Sequence, residues 1–270
     1  MKTFAIGSGK GGVGKSSLTA NLAVVLANQG YRVVAMDADF GLANLDIMMG
    51  LSGGATLRDL VGGFAQVEDV LRTHPSGARV LAGCSGVAEL ADLDPRHLGN
   101  ILGQLSKLEE STDYLLVDVA AGVHNTAITT LGSADEALIV MTADPSSFLD
   151  AYATIKRVHA YNPSVKMRGI VNGVSDESSG KLLFARLQSV ARDHIEDSIA
   201  YGGSLSWDEA MSNSVRARQT VVERAPNSAV AEDIERLAAS LANIRVRSEG
   251  SRVGFFNRLL QFGNRALRAA

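Results

Sequence analysis

Short apolar runs alternate along this chain with longer segments whose apolar residues recur at helical spacing. The runs at 3–8 (TFAIGS), 32–39 (RVVAMDAD), 78–83 (ARVLAG), 113–120 (DYLLVDVA), 136–144 (EALIVMTAD) and 167–174 (MRGIVNGV) read as strands. Several are apolar on both faces, the pattern of a parallel sheet covered on each side. Helix-period segments fall at 15–29, 95–110, 145–162, 180–194, 208–218 and 228–243. Strand-then-helix repetition predicts one doubly wound α/β domain over 1–242, with a mostly parallel sheet and helices on both faces. The polar, glycine-containing stretch 243–252 (NIRVRSEGSR) reads as a linker into a last amphipathic helix, 253–270.

Composition adds little to that picture and charge adds more. With 46% hydrophobic and 20% charged residues the chain has the make-up of an ordinary globular protein. Its formal charge of -3 gives no sign of a dominant cationic field for nucleic acid. The last 28 residues, however, hold six arginines against Glu249 alone, a charge of +5 that leaves -8 on the body. Cys84 is the only cysteine, so the chain forms no internal disulfide and no cysteine-based metal or Fe–S cage. No apolar stretch reaches the roughly 18 residues of a membrane span, and no leader pattern precedes the first strand, which together predict a cytoplasmic protein.

The chemistry begins directly after the first strand. Gly9 to Ser16 fits G-x-x-x-x-G-K-S/T without a gap, between a strand and a helix. Backbone N–H groups of Gly9, Lys10, Gly11, Gly12, Val13 and Gly14 can turn inward around phosphate oxygens. The start of the helix, with Ser16 and Ser17, adds its positive dipole end. Lys15 reaches the outer phosphates and Ser16 is placed to ligate Mg²⁺. Lys10 has no place in that template; it is a solvated lysine or serves some other phosphate.

Acidic residues follow at the carboxyl ends of two more strands, the side on which open parallel sheets bind ligands. Asp37 and Asp39 lie just past the second strand, in MDADFGLANLD. Two carboxylates so close repel one another unless a cation or a bound water stands with them, which Mg²⁺ and an attacking water would supply. An acidic turn is the simpler alternative. Asp118 ends the apolar run LLVDVA in the Walker B manner and can hold Mg²⁺ through water, with Gly122 giving the next loop freedom to move. No N/T-K-x-D stretch for guanine occurs, so ATP is the expected nucleotide.

The stretch KGGVGKSS, followed by DADFGLANLDIMMGL, resembles the deviant phosphate loop and first switch of the MinD/ParA class of ATPases. The resemblance covers nearly the whole chain. It implies that Lys10 crosses a dimer interface to the partner's nucleotide, so that nucleotide binding drives homodimerisation, with Lys10, Lys15 and Asp39 as the catalytic set. Asp39 positions or activates water and Asp37 supports the metal shell. Asn172, at the end of the 167–174 strand, falls where an amide reads adenine; a turn-forming asparagine is the alternative. DPSSFLDAYATIK, LLFARL and RAPNSAVAEDIERLA look most like the FlhG/FleN type of flagellar-number regulator within that class. That likeness implies an SRP-like flagellar GTPase, a flagellar transcription activator and C-ring proteins as partners. The chain starts at its first strand, without the N-terminal activating helix of some relatives, which puts GTPase activation in doubt. Ser206 stands where relatives often carry a proline.

Plotted at 100° per residue, 253–270 separates into two faces. Phe255, Phe256, Leu259, Leu260, Phe262 and Leu267 lie on one side, Arg258, Arg265 and Arg268 on the other. Aromatic apolar face against arginine face suits a helix lying in the plane of an anionic membrane, reversibly attached to its inner surface. A terminal helix docked on the protein's own core is the alternative. The leading expectation is thus a slow, partner-stimulated ATPase switch that sets flagellar number or placement. Division-site placement is the runner-up. A DNA-partition ATPase, which needs a basic DNA-binding surface, and a module that binds ATP without hydrolysing it stand behind.

Overall fold

The computed structural model describes residues 1–39, 44–81, 95–192, 199–242 and 253–268. Eight strands form one sheet in the order β3-β4-β2-β5-β1-β6-β7-β8. These are β1 (Lys2–Gly7), β2 (Val33–Ala38), β3 (Leu71–Thr73), β4 (Arg79–Leu81), β5 (Tyr114–Val119), β6 (Glu136–Met141), β7 (Lys166–Val174) and β8 (Ile199–Ser206). All neighbours pair in parallel except the edge strand β3, which runs antiparallel to β4. Every residue of β1, β2, β5 and β6 is buried, as expected of strands covered on both faces.

Side-chain alternation along these strands feeds two separate cores. Phe4, Ile6, Val33, Ala35, Leu116, Leu138 and Val140 point to one face. There they meet α1 (Lys15–Asn28) and α10 (Ala229–Ala242), with the short α9 (Val221–Arg224) beside them. Ala5, Val34, Met36, Leu115, Val117, Ala137 and Ile139 point to the other. That face is covered by α4 (Pro95–Glu110), α5 (Asn125–Ser133), α6 (Pro145–Tyr161) and α7 (Glu177–Arg192). Two short helices, α2 (Leu45–Met48) and α3 (Leu57–Val61), follow β2, and α8 (Glu209–Arg216) follows β8.

All six predicted strands are present. The sequence pattern misses β3 and β8, and the helices α2, α3, α5 and α9. β8, IAYGGSLS, carries two glycines and few apolar residues; α5, NTAITTLGS, is short and rich in β-branched residues. Helix α7 starts three residues ahead of the predicted 180 because Asp176 accepts the Ser179 N–H at 2.8 Å and supplies an N-terminal cap. Arg218, with φ of 55°, closes the turn after α8.

The last helix, α11 (Phe255–Arg268), lies against α4 and α5. Phe255, Phe256 and Leu259, from the face expected to meet membrane, are 1%, 5% and 3% exposed and belong to the second core. Burial of each such side chain gains about 1.5–3 kcal/mol. The Phe256 N–H donates to Glu109 Oε1 at 3.0 Å, and Arg258 pairs with Asp135 Oδ1 at 3.0 Å while donating to the Ser133 carbonyl at 2.7 Å. The acidic partner of Arg258 is supplied by the turn after α5 and is therefore invisible in the tail's own sequence. Among the described residues no helix is long and apolar enough to cross a membrane. The expected linker at 243–252 and Cys84 lie outside the described residues, as do the side chains of Phe262, Arg265 and Leu267.

Candidate functional site

β1, β2 and β5 are adjacent in parallel, so their carboxyl ends open on one edge of the sheet. The register sets Asp37 of β2 beside Asp118 of β5, and Ile6 of β1 beside Asp118. The turn 8–14 leaves β1 at that same edge and delivers Lys15 and Ser16 at the head of α1. Its path depends on glycine at two points. Gly14 caps α1 at φ of 96°, and a Cβ there would meet Asn172 Nδ2 at 2.4 Å; a Cβ on Gly9 would meet the Asp150 carbonyl oxygen at 2.3 Å.

Lys15, Ser16, Asp37, Asp39 and Asp118 lie near one another at this edge. Burial lowers the Lys15 pKa, and the charges of Asp118 and Asp39 oppose that shift. Asp118 is pushed up to about 7, chiefly by burial and with help from Asp37 and Asp39, while the Ser16 hydroxyl bonded to it and Lys15 pull it down. Its Oδ1 is buried without a hydrogen-bond partner. A buried oxygen with spare acceptor capacity at a carboxylate pair is a place for a cation or its water shell. Asp37 is placed differently: its Oδ1 accepts the Asp39 N–H at 2.9 Å and its Oδ2 accepts those of Asn44 and Leu45 at 2.8 and 3.0 Å. These bonds hold the backbone of Asp39, Asn44 and Leu45 to Asp37, and they offset the upward shift that burial imposes.

Among the described residues no group of three or more His, Cys, Asp or Glu side chains forms a cage for a metal. Ser16, Asp37 and Asp118 suit Mg²⁺, which is bound through one or two carboxylates together with phosphate oxygens and water. Asn172 reaches the loop. Its Nδ2 donates to the Val13 carbonyl at 2.8 Å, so one of its donors is spent on holding the loop.

Lys10 stands apart from this group. Its Nζ bonds Asp144 Oδ2 at 2.5 Å and Ser146 Oγ at 2.8 Å, where β6 gives way to α6. Asp144 also accepts the Ser146 N–H at 2.9 Å as the cap of α6, and the Lys10 ammonium beside it holds its carboxyl down at about 2. These partners were missed, although Asp144 ends an apolar strand run on the ligand edge and that position was a usable signal. The loop after Asp118 is tied down as well. The Gly122 N–H donates to the Ser8 carbonyl at 2.9 Å, and Arg157 of α6 donates to the Val123 carbonyl and, at 3.0 Å, to Asn125 Oδ1. Arg157 lies 34 residues from Val123, and nothing in the sequence marked it.

Comparison with known proteins agrees with this architecture. The model of the CobQ/CobB/MinD/ParA nucleotide binding domain matches residues 4–245. The antiactivator FleN of Pseudomonas aeruginosa is 34% identical over 228 residues, which is 84% of this chain and 81% of FleN. The flagellum site-determining protein YlxH of Helicobacter pylori is 32% identical over 268 residues, 97% of this chain and 90% of YlxH. Among solved structures, the septum site-determining protein MinD of Pyrococcus horikoshii, complexed with Mg-ADP, superposes with a TM-score of 0.70 at 23% identity, covering 91% of this chain and 99% of that one. With a glycine loop, two strand-end carboxylates and a matching sheet in place, the chain belongs to the CobQ/CobB/MinD/ParA family of nucleotide-binding domains.

Proposed function

We propose that this protein is an ATP-driven, dimerising switch that sets the number or placement of flagella. The observation that carries the nucleotide part is the buried Asp118 oxygen without a partner, beside Lys15 and Ser16 at the mouth of the glycine loop. Backbone N–H groups of 9–16 hold the phosphates and Lys15 neutralises the outer ones. Ser16 and Asp118, with Asp37 behind them, would hold Mg²⁺, which would supply charge neutralisation at the phosphates. Asp39 orients the attacking water, and Asn172 faces the base end.

Hydrolysis should be slow, because a site of this kind gains speed from an arginine finger and the sequence offers none in a recognisable motif. In the dimer, Lys10 would exchange Asp144 for the partner's phosphates. The flagellar reading rests on FleN and YlxH, each above 30% identity over more than four-fifths of this chain. An SRP-like flagellar GTPase, a flagellar transcription activator and C-ring proteins are the corresponding partners. Division-site placement is the second reading, supported by a fold shared with a septum site-determining protein. For membrane association, α11 must leave its groove on α4 and α5, since the apolar face that would enter lipid is the face now buried. Two weak helices in a dimer would then act together on anionic lipid.

Three outcomes are expected. Asp39→Ala should lose at least 90% of phosphate release while still forming an ATP-dependent dimer; equal, slow turnover in both proteins would show that Asp39 does not act on water. Removal of 253–270 should abolish ATP-dependent sedimentation with anionic liposomes and leave ATP affinity unchanged, and undiminished sedimentation would dismiss the tail as the membrane element. Cells lacking the protein should show altered flagellar number by electron microscopy; minicells with normal flagella would instead favour division-site placement.

A further inference from the structure

Asp39 can orient a water only if its backbone is held in one place, and that hold begins at Asp37. One Asp37 oxygen takes the Asp39 N–H, and the other takes the Asn44 and Leu45 N–H groups at the head of α2. Helix α2 is only four residues long. A single turn of helix is unstable alone in water, so its position must come from its neighbours. On one side Leu45 supplies this, fully buried in the core that α2 shares with α1.

Asp46 supplies it on the other. Its carbonyl accepts the Met49 and Leu51 N–H groups at 3.2 and 2.8 Å, which turns the chain at the end of α2, and its Oδ1 accepts the Ile47 N–H at 2.8 Å. Its Oδ2 meets the guanidinium of Arg72 on β3. The two side chains are 14% and 15% exposed, for Arg72 and Asp46 in turn. A pair so far buried is costly to break from one side, because the charge left behind has lost both water and partner.

The sheet register brings the arginine there. Arg72 stands level with Val80 of β4, and Val80 level with Ala35 of β2. Residues paired across strands share a face, and Val80 and Ala35 lie in the core that α1 covers. Asp37, two residues past Ala35, is on that face too. Arg72 and Asp37 are therefore two strand spacings apart, about 10 Å, and α2 bridges them with Asp46 on one and the Asn44 and Leu45 N–H groups on the other.

We propose that Arg72 is a positioning residue for ATP hydrolysis: through Asp46 it fixes the head of α2, which holds the Asp37 carboxylate to which Asp39 is bonded. It rests on the reading of Asp39 as the residue that orients water. Four strand spacings, about 19 Å, separate β3 from β1 and its glycine loop, so loss of Arg72 slows turnover and spares nucleotide affinity. The tie to Asp46 is made by Nη1, while Nε is buried without a partner, so a single donor suffices and lysine can replace it.

The test reads phosphate release at saturating Mg-ATP, calorimetric affinity for Mg-ADP, and stability in urea, all on the full chain. Arg72→Gln should lower kcat about tenfold at unchanged Mg-ADP affinity, and Arg72→Lys should keep most of the rate. Because Arg72→Gln strands a buried carboxylate and weakens the fold, the deciding variant combines Arg72→Met with Asp46→Leu. That protein loses both charges, keeps the volume and should resist urea almost as the unmodified chain does. It should still turn over about tenfold more slowly at unchanged Mg-ADP affinity. An unaltered kcat in the double variant would overturn the positioning role, and so would equal losses of kcat and Mg-ADP affinity. If Asp39→Ala hydrolyses ATP as fast as the unmodified protein, the reading of Asp39 itself fails and the role of Arg72 with it.

Discussion

A carboxylate buried at the end of a strand keeps its charge only in cationic company, and Asp118 is the point at which this fold meets that constraint. Burial pushes its pKa up to about 7, with Asp37 adding to the rise and Ser16 and Lys15 opposing it. The parallel pairing of β1, β5 and β2 creates the situation, since it aligns three strand ends at one edge and sets Asp37 level with Asp118. Around that pair the glycine loop, the head of α1 and the segment after β2 are arranged. Each contributes N–H groups or a cation, so anionic phosphates and Mg²⁺ complete the local charge balance.

The constraint separates two lysines five positions apart. Lys15 is drawn inward, losing solvent to the carboxylates. Lys10 turns outward and is held by Asp144 and Ser146 at the head of α6. That ion pair is solvent-exposed, and exposed pairs are worth little, so it holds Lys10 in place without making its release costly. The far end of the chain is held in a similar conditional way. Phe255, Phe256 and Leu259 fill a groove on α4 and α5, and α5 begins three residues after Gly122 in the loop that follows Asp118. The same apolar face cannot serve core and membrane at once.

Where local sequence determined structure, it was legible. The phosphate loop, its strand and its helix are a contiguous pattern, and the buried strands declare themselves as unbroken apolar runs. β8 and α5 were not legible because glycine and β-branched residues obscure their periodicity and their stability comes from neighbours. Site residues show the same division. Lys15, Ser16, Asp37, Asp39 and Asp118 follow from order along the chain, whereas three relationships needed the fold. These are the Lys10 tie to Asp144, the donation from Asn172 to Val13, and the pairing of Arg258 with Asp135, at separations of 134, 159 and 123 residues. The tail illustrates the difference best: its amphipathic pattern is plain in sequence, but the partner of its apolar face is decided by α4 and α5.

The central claim is that Lys10 of the loop serves another subunit's nucleotide. Sedimentation velocity of the unmodified protein and of Lys10→Ala, each with saturating Mg-ATP, tests it directly. The account predicts a shift from monomer to dimer for the unmodified chain, and a Lys10→Ala protein that binds ATP but remains a monomer. An ATP-dependent dimer of equal strength in both would contradict it.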